Sequence, residues 1–301
     1  MTLTSDEASP SLAIETAYPP ELIASVLDVK GPAWLCDEIR RDEDPTYVSH
    51  FLAESILSYV APESLSGRLL ELGSGAGASS LNLRRLLPEL QVVGVELLAD
   101  HVGLARSRAA FHGMDSIEFI HNPDGSQLPD GLGEFDFVIL SAVYEHLLPV
   151  ERRSLMPQVW RRLKPGGILF INQLPHRFSP LETHTTGLPL LNYLPDGLAH
   201  RAARRFSSWV DPDQTWDGLL RAGIRGGSVR EILRDIGPDD AEVLEPTLRG
   251  NSDRIDLWFA LSGRSRWPIA KRIARTTMKG LKRTTGVTFV PELSLAIRKR
   301  A

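Results

Sequence analysis

The sequence predicts an α/β fold, a mostly parallel sheet with helices on both faces. Two observations carry this prediction. Short apolar runs at 69–72, 91–95, 117–120, 135–140 and 168–172 have the length and character of buried strands. The first of them ends in Gly73-Ser-Gly-Ala-Gly77, and a helical pattern follows from Ala78 with Leu81, Leu83, Leu86 and Leu87 as its apolar positions. A strand, a glycine turn and a helix in that order begin a parallel strand–helix–strand unit.

The glycine turn is the most informative element. Glycine takes positive φ without strain, and it lets the backbone and a helix N-terminus approach a ligand closely. The stretch therefore reads as a nucleotide or nucleoside pocket at the carboxyl edge of a parallel strand. Gly73-x-Gly75-x-x-Ala78, with Glu96 23 residues after Gly73, also satisfies the loose dinucleotide fingerprint.

The surrounding residues separate the two. Glu71-Leu-Gly73-Ser74-Gly75-Ala-Gly77 resembles motif I of the class I S-adenosylmethionine (SAM) methyltransferases, and five further markers follow in that family's order. These are the strand ending at Glu96; the segment Asn122-Pro-Asp124-Gly125-Ser126; the strand at 135–140; Ser141-Ala-Val-Tyr144-Glu145-His146-Leu147; and Arg162-Leu-Lys-Pro-Gly-Gly before the fifth strand. The resemblance implies a seven-stranded Rossmann-like sheet with an antiparallel last strand. It implies SAM as cofactor and S-adenosylhomocysteine as product. It places Glu71, Gly73, Ser74, Gly75, Gly77, Leu97 and Ser141 around the cofactor, with Glu96 on both ribose hydroxyls. Asp124 would take the adenine amino group, and the backbone of Gly125 or Ser126 would meet the ring. A helix at 229–235 and strands at 241–248 and 254–261 are expected to finish the sheet.

Composition fits an ordinary enzyme. The chain has 301 residues, 42% of them apolar and 24% charged, and no apolar run of membrane-spanning length. The N-terminus lacks a basic-then-apolar signal segment. Cys36 is the only cysteine, so no internal disulfide or zinc finger is expected, and a buried side chain is. These features point to the cytoplasm.

Charge is uneven. Residues 264–301 hold eleven Lys and Arg against one acid, Glu292, a local net charge of +10 in a chain of net −4. On a helical wheel Ile269, Ala270, Ile273, Ala274, Met278 and Leu281 fill one half. Lys271, Arg272, Arg275, Lys279, Lys282 and Arg283 fill the other. Two arrangements stay open. The apolar half packs on the domain and leaves the basic half solvated, or 264–283 lies on an anionic membrane, peripheral to its inner surface. Nucleic acid is not expected, because no RNA-binding module is present.

Three segments follow: a helical cap at 1–67, a SAM-binding domain at 68–263 with a lid-like insertion at 173–227, and a basic C-terminal segment at 264–301. Residues 1–11 read as loose. Helices are expected at 20–27 and at 46–59, the latter with Leu52, Ile56 and Leu57 inward. The insertion is too long for a simple connection and follows a strand's carboxyl end, where this sheet type places reacting groups. Its run 175–195 is similar to sequences of bacterial methyltransferases acting on glycan or glycolipid acceptors. A sugar hydroxyl needs a base, and histidine has a suitable pKa. The candidates are His184, His176 and His146, with Glu145, Glu182 and Tyr144 assisting. No metal is expected, since no compact acidic cluster follows the fourth strand; Glu182, His184 and Asp196 would be the ligands of one. Trp160 reads as core. Trp209 and Trp216 read as sugar-stacking or core residues. Arg201, Arg204 and Arg205 read as an anion site or a solvated face.

The expected function is methyl transfer to a hydroxyl of a saccharide or lipid-linked glycan. Alternatives are O- or N-methylation of a small secondary metabolite, and a non-catalytic SAM-binding scaffold.

Overall fold

The structure, a computed structural model, describes residues 1–5, 12–237, 240–263 and 267–300. A hairpin of β1 (Thr2–Ser5) and β2 (Leu12–Glu15) opens the chain. The cap helices follow: α1 (Pro20–Lys30), α2 (Leu35–Glu43), α3 (Pro45–Ser49) and α4 (Ala53–Leu57). Then come β3 (Gly67–Leu72), α5 (Ala78–Leu86), β4 (Leu90–Glu96), α6 (Ala99–Phe111), β5 (Glu118–His121), β6 (Phe135–Ser141), α7 (Pro149–Arg162) and β7 (Leu163–Pro175). The insertion carries α8 (Asp196–Phe206) and α9 (Trp216–Arg221). The chain ends through α10 (Val229–Ile236), β8 (Ala241–Val243), α11 (Arg254–Leu261), α12 (Pro268–Thr285) and β9 (Glu292–Lys299).

Seven strands form the main sheet in the order β5-β4-β3-β6-β7-β9-β8. The first five are parallel, and β9 runs antiparallel to both β7 and β8. From β3 the chain moves outward through β4 and β5, then returns to β6 on the other side. The carboxyl ends of β3 and β6 therefore feed loops that diverge, which opens a crevice between them.

Both sheet faces are covered, so the strands are apolar on both sides. Leu70, Leu72, Val138, Leu140, Leu169 and Ile171 point to one core, against Met156, Val159 and Trp160 of α7 and Ile232 and Ile236 of α10. Leu69, Phe137, Ile139, Ile168 and Phe170 point to the other, against Leu81, Leu83, Val102 and Ala105 of α5 and α6. Each such side chain contributes about 1.5–3 kcal/mol on burial. Trp160 and Cys36 are buried, as read.

Several expectations are corrected. Residues 254–261 form helix α11, not a strand. Ile255, Leu257, Phe259 and Leu261 alternate like a strand, but Asp253 caps the amides of Ile255 and Asp256 at 3.0 Å each. That cap starts a helix, which buries Leu257 and Leu261 one turn apart. Of 241–248, only Ala241–Val243 is a strand. The antiparallel strand is β9, taken from inside the basic segment, with Leu293, Leu295 and Ile297 in one core and Ala296 in the other. The single helix expected at 46–59 is two short ones, and His50 between them bonds through Nε2 to the Leu261 carbonyl at 3.0 Å. Leu52 and Ile56 are buried, while Leu57 is only partly so. Residues 2–5 form a strand, although 1–11 read as loose; 6–11 lie outside the described residues.

The basic half of the segment is not simply solvated, as one of the two expected forms has it. Helix α12 turns part of its basic side to its own domain: Arg275 and Lys279 each pair with Asp256 at 2.6 Å, and Lys282 lies 3.6 Å from Glu245 and from Asp253, while Met278 packs on the core. Ile269 and Ile273 face outward. Arg264 and Arg266 lie outside the described residues. Among the described residues, no helix is long and apolar enough to cross a membrane.

Phe170 is fully buried on β7, inside the core formed with α5 and α6. Phe170→Ala should cost about 3–5 kcal/mol of stability, measured by urea denaturation, with helical content retained under native conditions.

Candidate active site

The crevice is built by the glycine turn. The amides of Gly73 and Ser74 bond to the Val95 carbonyl at 2.8 and 3.2 Å, drawing the turn onto β4. Gly73 and Gly77 are fixed by space as well as by positive φ. A Cβ on Gly73 would lie 2.6 Å from Val143, and one on Gly77 would lie 2.8 Å from Ala105. Gly75, at φ +53°, differs: a Cβ there would meet nothing within 4 Å. It projects into a cleft of about 300 Å³ lined by Glu71, Gly73–Ala76, Ala78, Ser79, Ser141, Ala142 and Gln173.

Two carboxylates organise this cleft. Glu96 accepts the Gly75 amide at 2.9 Å on one oxygen and the Leu98 amide at 3.1 Å on the other. Each oxygen keeps a lone pair for a hydroxyl. Glu71 is fully buried and accepts from the Ser80 hydroxyl. Burial pushes its carboxyl above the ordinary range, while the Ser79 and Ser80 hydroxyls draw it back. Beside the cleft, Leu72, Glu96, Leu97, Asn122, Asp124, Gly125, Leu128, Val143 and Leu147 line a narrow, mostly apolar slot. Asp124 accepts from the Ser126 amide at 2.8 Å and from its hydroxyl at 2.6 Å, which shapes the loop.

The cap closes the cleft from above. Lys30, Glu38, Arg41, Tyr47, Val48, Phe51 and Leu52 line it. These residues were not found by sequence reasoning, because nothing local marks them and only the docking of α1–α4 brings them to the crevice. Gln173 was also missed. It and Ala142 have left-handed backbones, φ +55° and +52°, at the carboxyl ends of β7 and β6. Such conformations cost about 1–3 kcal/mol each and cluster at functional sites. Ser141 Oγ donates to Gln173 Oε1 at 3.3 Å across this rim.

Beyond the rim the chain brings together Glu145, His146 and His184, with a ligand atom from each within 4.8 Å of the others. Sequence reading saw no compact cluster after the fourth strand; the insertion completes one from 38 residues away. His146 is oriented by its Nδ1, which donates to the Arg221 carbonyl at 2.6 Å. That turns Nε2 toward Glu145, 3.8 Å from its Oε1. Glu145 is 1% exposed, and neither carboxylate oxygen has a hydrogen-bond partner among the described residues. Burial raises its carboxyl from 4.5 to about 8. Desolvation, and His146 beside it, lower the pKa of His184. These three groups could share a proton or hold a divalent cation.

The remaining candidates have other places. Glu182 accepts the amides of His184, Thr185 and Thr186 at 2.9, 2.9 and 2.6 Å, so it shapes the loop that presents His184. Asp196 pairs with Arg225 at 2.7 Å. Neither joins His184 as a ligand. His176 is buried, its pKa lowered by burial, and stands outside the cluster with Nδ1 unpartnered. Tyr144 donates to Asp235 at 2.7 Å and Arg152 stacks on its ring, which fixes the segment that carries Glu145. Trp216 packs against His200 and Arg225, whereas Trp209 is exposed. Arg201 and Arg205 are exposed, and Arg204 lies 3.9 Å from Asp213.

Strand order, glycine turn and paired carboxylates together define a Rossmann-like fold of the kind that SAM-dependent methyltransferases have. Residues 69–167 match the family described as a methyltransferase domain. A demethylmenaquinone methyltransferase of Thermus thermophilus is 28% identical over 116 residues, 38% of this chain and 51% of that protein. The mitochondrial ubiquinone biosynthesis O-methyltransferase of Saccharomyces cerevisiae is 27% identical over 172 residues, 56% of this chain and 50% of that protein. PKMT2 from Rickettsia typhi, solved in complex with AdoHcy, has the same fold. Its TM-score is 0.50 at 15% identity, covering 84% of this chain and 53% of that one. The chain spans 21–51% of the length of the curated relatives it matches.

The residues present fit SAM. Open space at Gly75 accommodates the ligand, Glu96 offers lone pairs for the ribose, and the slot at Leu97, Gly125 and Leu147 suits a flat apolar ring.

Gly75→Arg should fill the cleft and abolish S-adenosylhomocysteine binding in calorimetric titration, with folding retained; unchanged affinity would remove the cleft as the site. Glu145→Gln should test the buried carboxyl. Its folded pKa is raised, so its stabilising share is complete below pH 4.5 and is lost as pH rises through about 8. The melting temperature of the variant should match wild type near pH 4 and exceed it increasingly up to about pH 8.

Proposed function

We propose that the protein transfers the methyl group of SAM to a hydroxyl of a saccharide or lipid-linked glycan, with His184 accepting the hydroxyl proton. The observation that carries this reading is the cluster beyond the cofactor cleft: an exposed imidazole beside a second imidazole and a buried carboxyl. Glu145 lies three residues past Ala142, which lines the cleft, so their Cα atoms are at most about 11 Å apart. One relative is named as an O-methyltransferase of ubiquinone biosynthesis, which agrees with a hydroxyl acceptor. The exposed Tyr193 and Trp209 in the insertion offer ring faces of the kind that stack on sugars.

SAM supplies an electrophilic methyl group. The chain's own residues do the rest. Glu96 holds the ribose, and the segment Asp124–Gly125 meets the adenine. Lys30 and Arg41 at the cleft give positive charge for the carboxylate of the methionine part. Tyr47 and Phe51 exclude water. Proximity provides much of the rate in such a displacement. His184 takes the acceptor's proton, and His146 and Glu145 disperse the resulting charge.

A second reading, a divalent cation on the same three groups, rests on the unpartnered oxygens of Glu145. His184→Ala should lower turnover by about 100-fold or more with S-adenosylhomocysteine affinity unchanged; full turnover would remove it as base. Treatment with EDTA should leave turnover intact. Loss restored by Mn²⁺ or Mg²⁺ would assign the cluster to the cation instead.

A further inference from the structure

Ile269 and Ile273, on the outward side of α12, are uncovered among the described residues. Arg275, Lys279 and Lys282 are tied to Asp253, Asp256 and Glu245, and Met278 packs on the domain core, which leaves Ile269 and Ile273 turned outward. Ile269 is 72% exposed and Ile273 61%, with Trp267 exposed beside them. Large apolar side chains in one exposed patch mark an interaction surface.

The patch continues across a groove onto the insertion. Phe178, Leu181 and Tyr193 form one wall and Ala274, Met278 and Leu281 of α12 the other, around about 640 Å³. Three wall hydroxyls are spent on carbonyls of their own walls: Tyr193 on Phe178 at 2.7 Å, Ser179 on Leu181 at 2.8 Å and Thr285 on Leu281 at 2.7 Å. The groove therefore offers mainly hydrocarbon. Phe178, Leu181, Tyr193 and Leu281 are exposed at its mouth.

Charge identifies the occupant. Arg272 and Arg283 are exposed along the edge of this outward side and make no ion pair among the described residues. Exposed isoleucines edged by arginines that make no ion pair among the described residues suit an amphipathic helix lying in a membrane interface. Apolar side chains enter the acyl boundary while arginines reach the headgroups. A protein partner would need an acidic apolar surface of matching shape, for which nothing here selects.

We propose that this face, formed by α12 and the rim of the groove, docks on an anionic lipid bilayer. The membrane is met by the apolar side of the helix, and the paired cations Arg275, Lys279 and Lys282 serve the fold. Docking also points the groove at the bilayer. The groove is lined by His176, three residues after Gln173 of the cofactor cleft, and by Thr183, next to His184. A hydrocarbon chain lodged there leads back to the reacting groups. This last point rests on the lipid-linked reading of the acceptor; membrane docking does not.

The test is co-sedimentation of the full chain with vesicles of equimolar phosphatidylcholine and phosphatidylglycerol. Point substitutions are required, because removing 264–301 would take β9 out of the sheet. Wild type should bind, and Ile269→Ser with Ile273→Ser should weaken binding by about tenfold or more. Arg272→Glu with Arg283→Glu should also weaken it, and raising the salt should lower wild-type binding toward the level of that variant. Unchanged S-adenosylhomocysteine affinity shows that each variant is folded. Absence of wild-type binding, or equal binding by the isoleucine variant, overturns the proposal. So does self-association abolished by the same two serines, which would assign the face to a second copy. Vesicle binding with no methylation of any lipid-linked acceptor would leave docking standing and refute only the acceptor.

Discussion

Strand β9 is the tie on which the rest of the molecule depends. It enters between β7 and β8, the only partner of β8 among the described strands, and fills both cores through alternate residues. Other elements fasten to it as well. Tyr59 from the cap donates to the Ser294 carbonyl at 2.6 Å, and Lys299 donates to the carbonyls of Trp160 and Leu163 at 3.1 and 2.8 Å. Because β9 is fixed, the helix before it is held against α11. Because α12 is held there, the insertion has a second wall to face. The groove thus follows from sheet pairing.

The active site shows a matching division of labour. Backbone and buried carboxylates set the cofactor side, where Gly75 and Glu96 bond to each other before any ligand arrives. The acceptor side is less settled in energy. Two non-glycine residues hold left-handed backbones at its rim, and Glu145 is buried without a hydrogen bond. Groups left in costly states are what a site uses when a ligand or proton relieves them.

Legibility in the sequence followed the range of the interactions. The glycine turn, Glu71 and Glu96 were readable because a tight turn and a strand end are local. Residues 254–261 were misread because their alternation suits a strand, and the cap at Asp253 outweighs that pattern. The error carried further. The acids that hold the basic side of α12 are Asp253 and Asp256, on and beside the misread helix, so the orientation of α12 could not be read either. His184 was readable as a reactive type in a suggestive loop. Its meeting with Glu145 and His146 was not, since it requires the insertion to fold back over the end of β6. Lys30 and Arg41 left no signal, because their role depends on how the cap docks.

The position of β9 also sets an order of events. The edge strand β8 leaves the ribosome before the strand that must lie between it and β7. Growth of the sheet therefore cannot follow synthesis from one strand to the next. About fifty residues separate β8 from β9, and well over a hundred separate β9 from most of β7. Contacts so distant in sequence close late and slowly. Until they close, the edge of β7 stands open beside exposed core residues, which is the state in which strands pair with the wrong partner. The link that makes the finished molecule coherent is the one whose delay exposes the growing chain most.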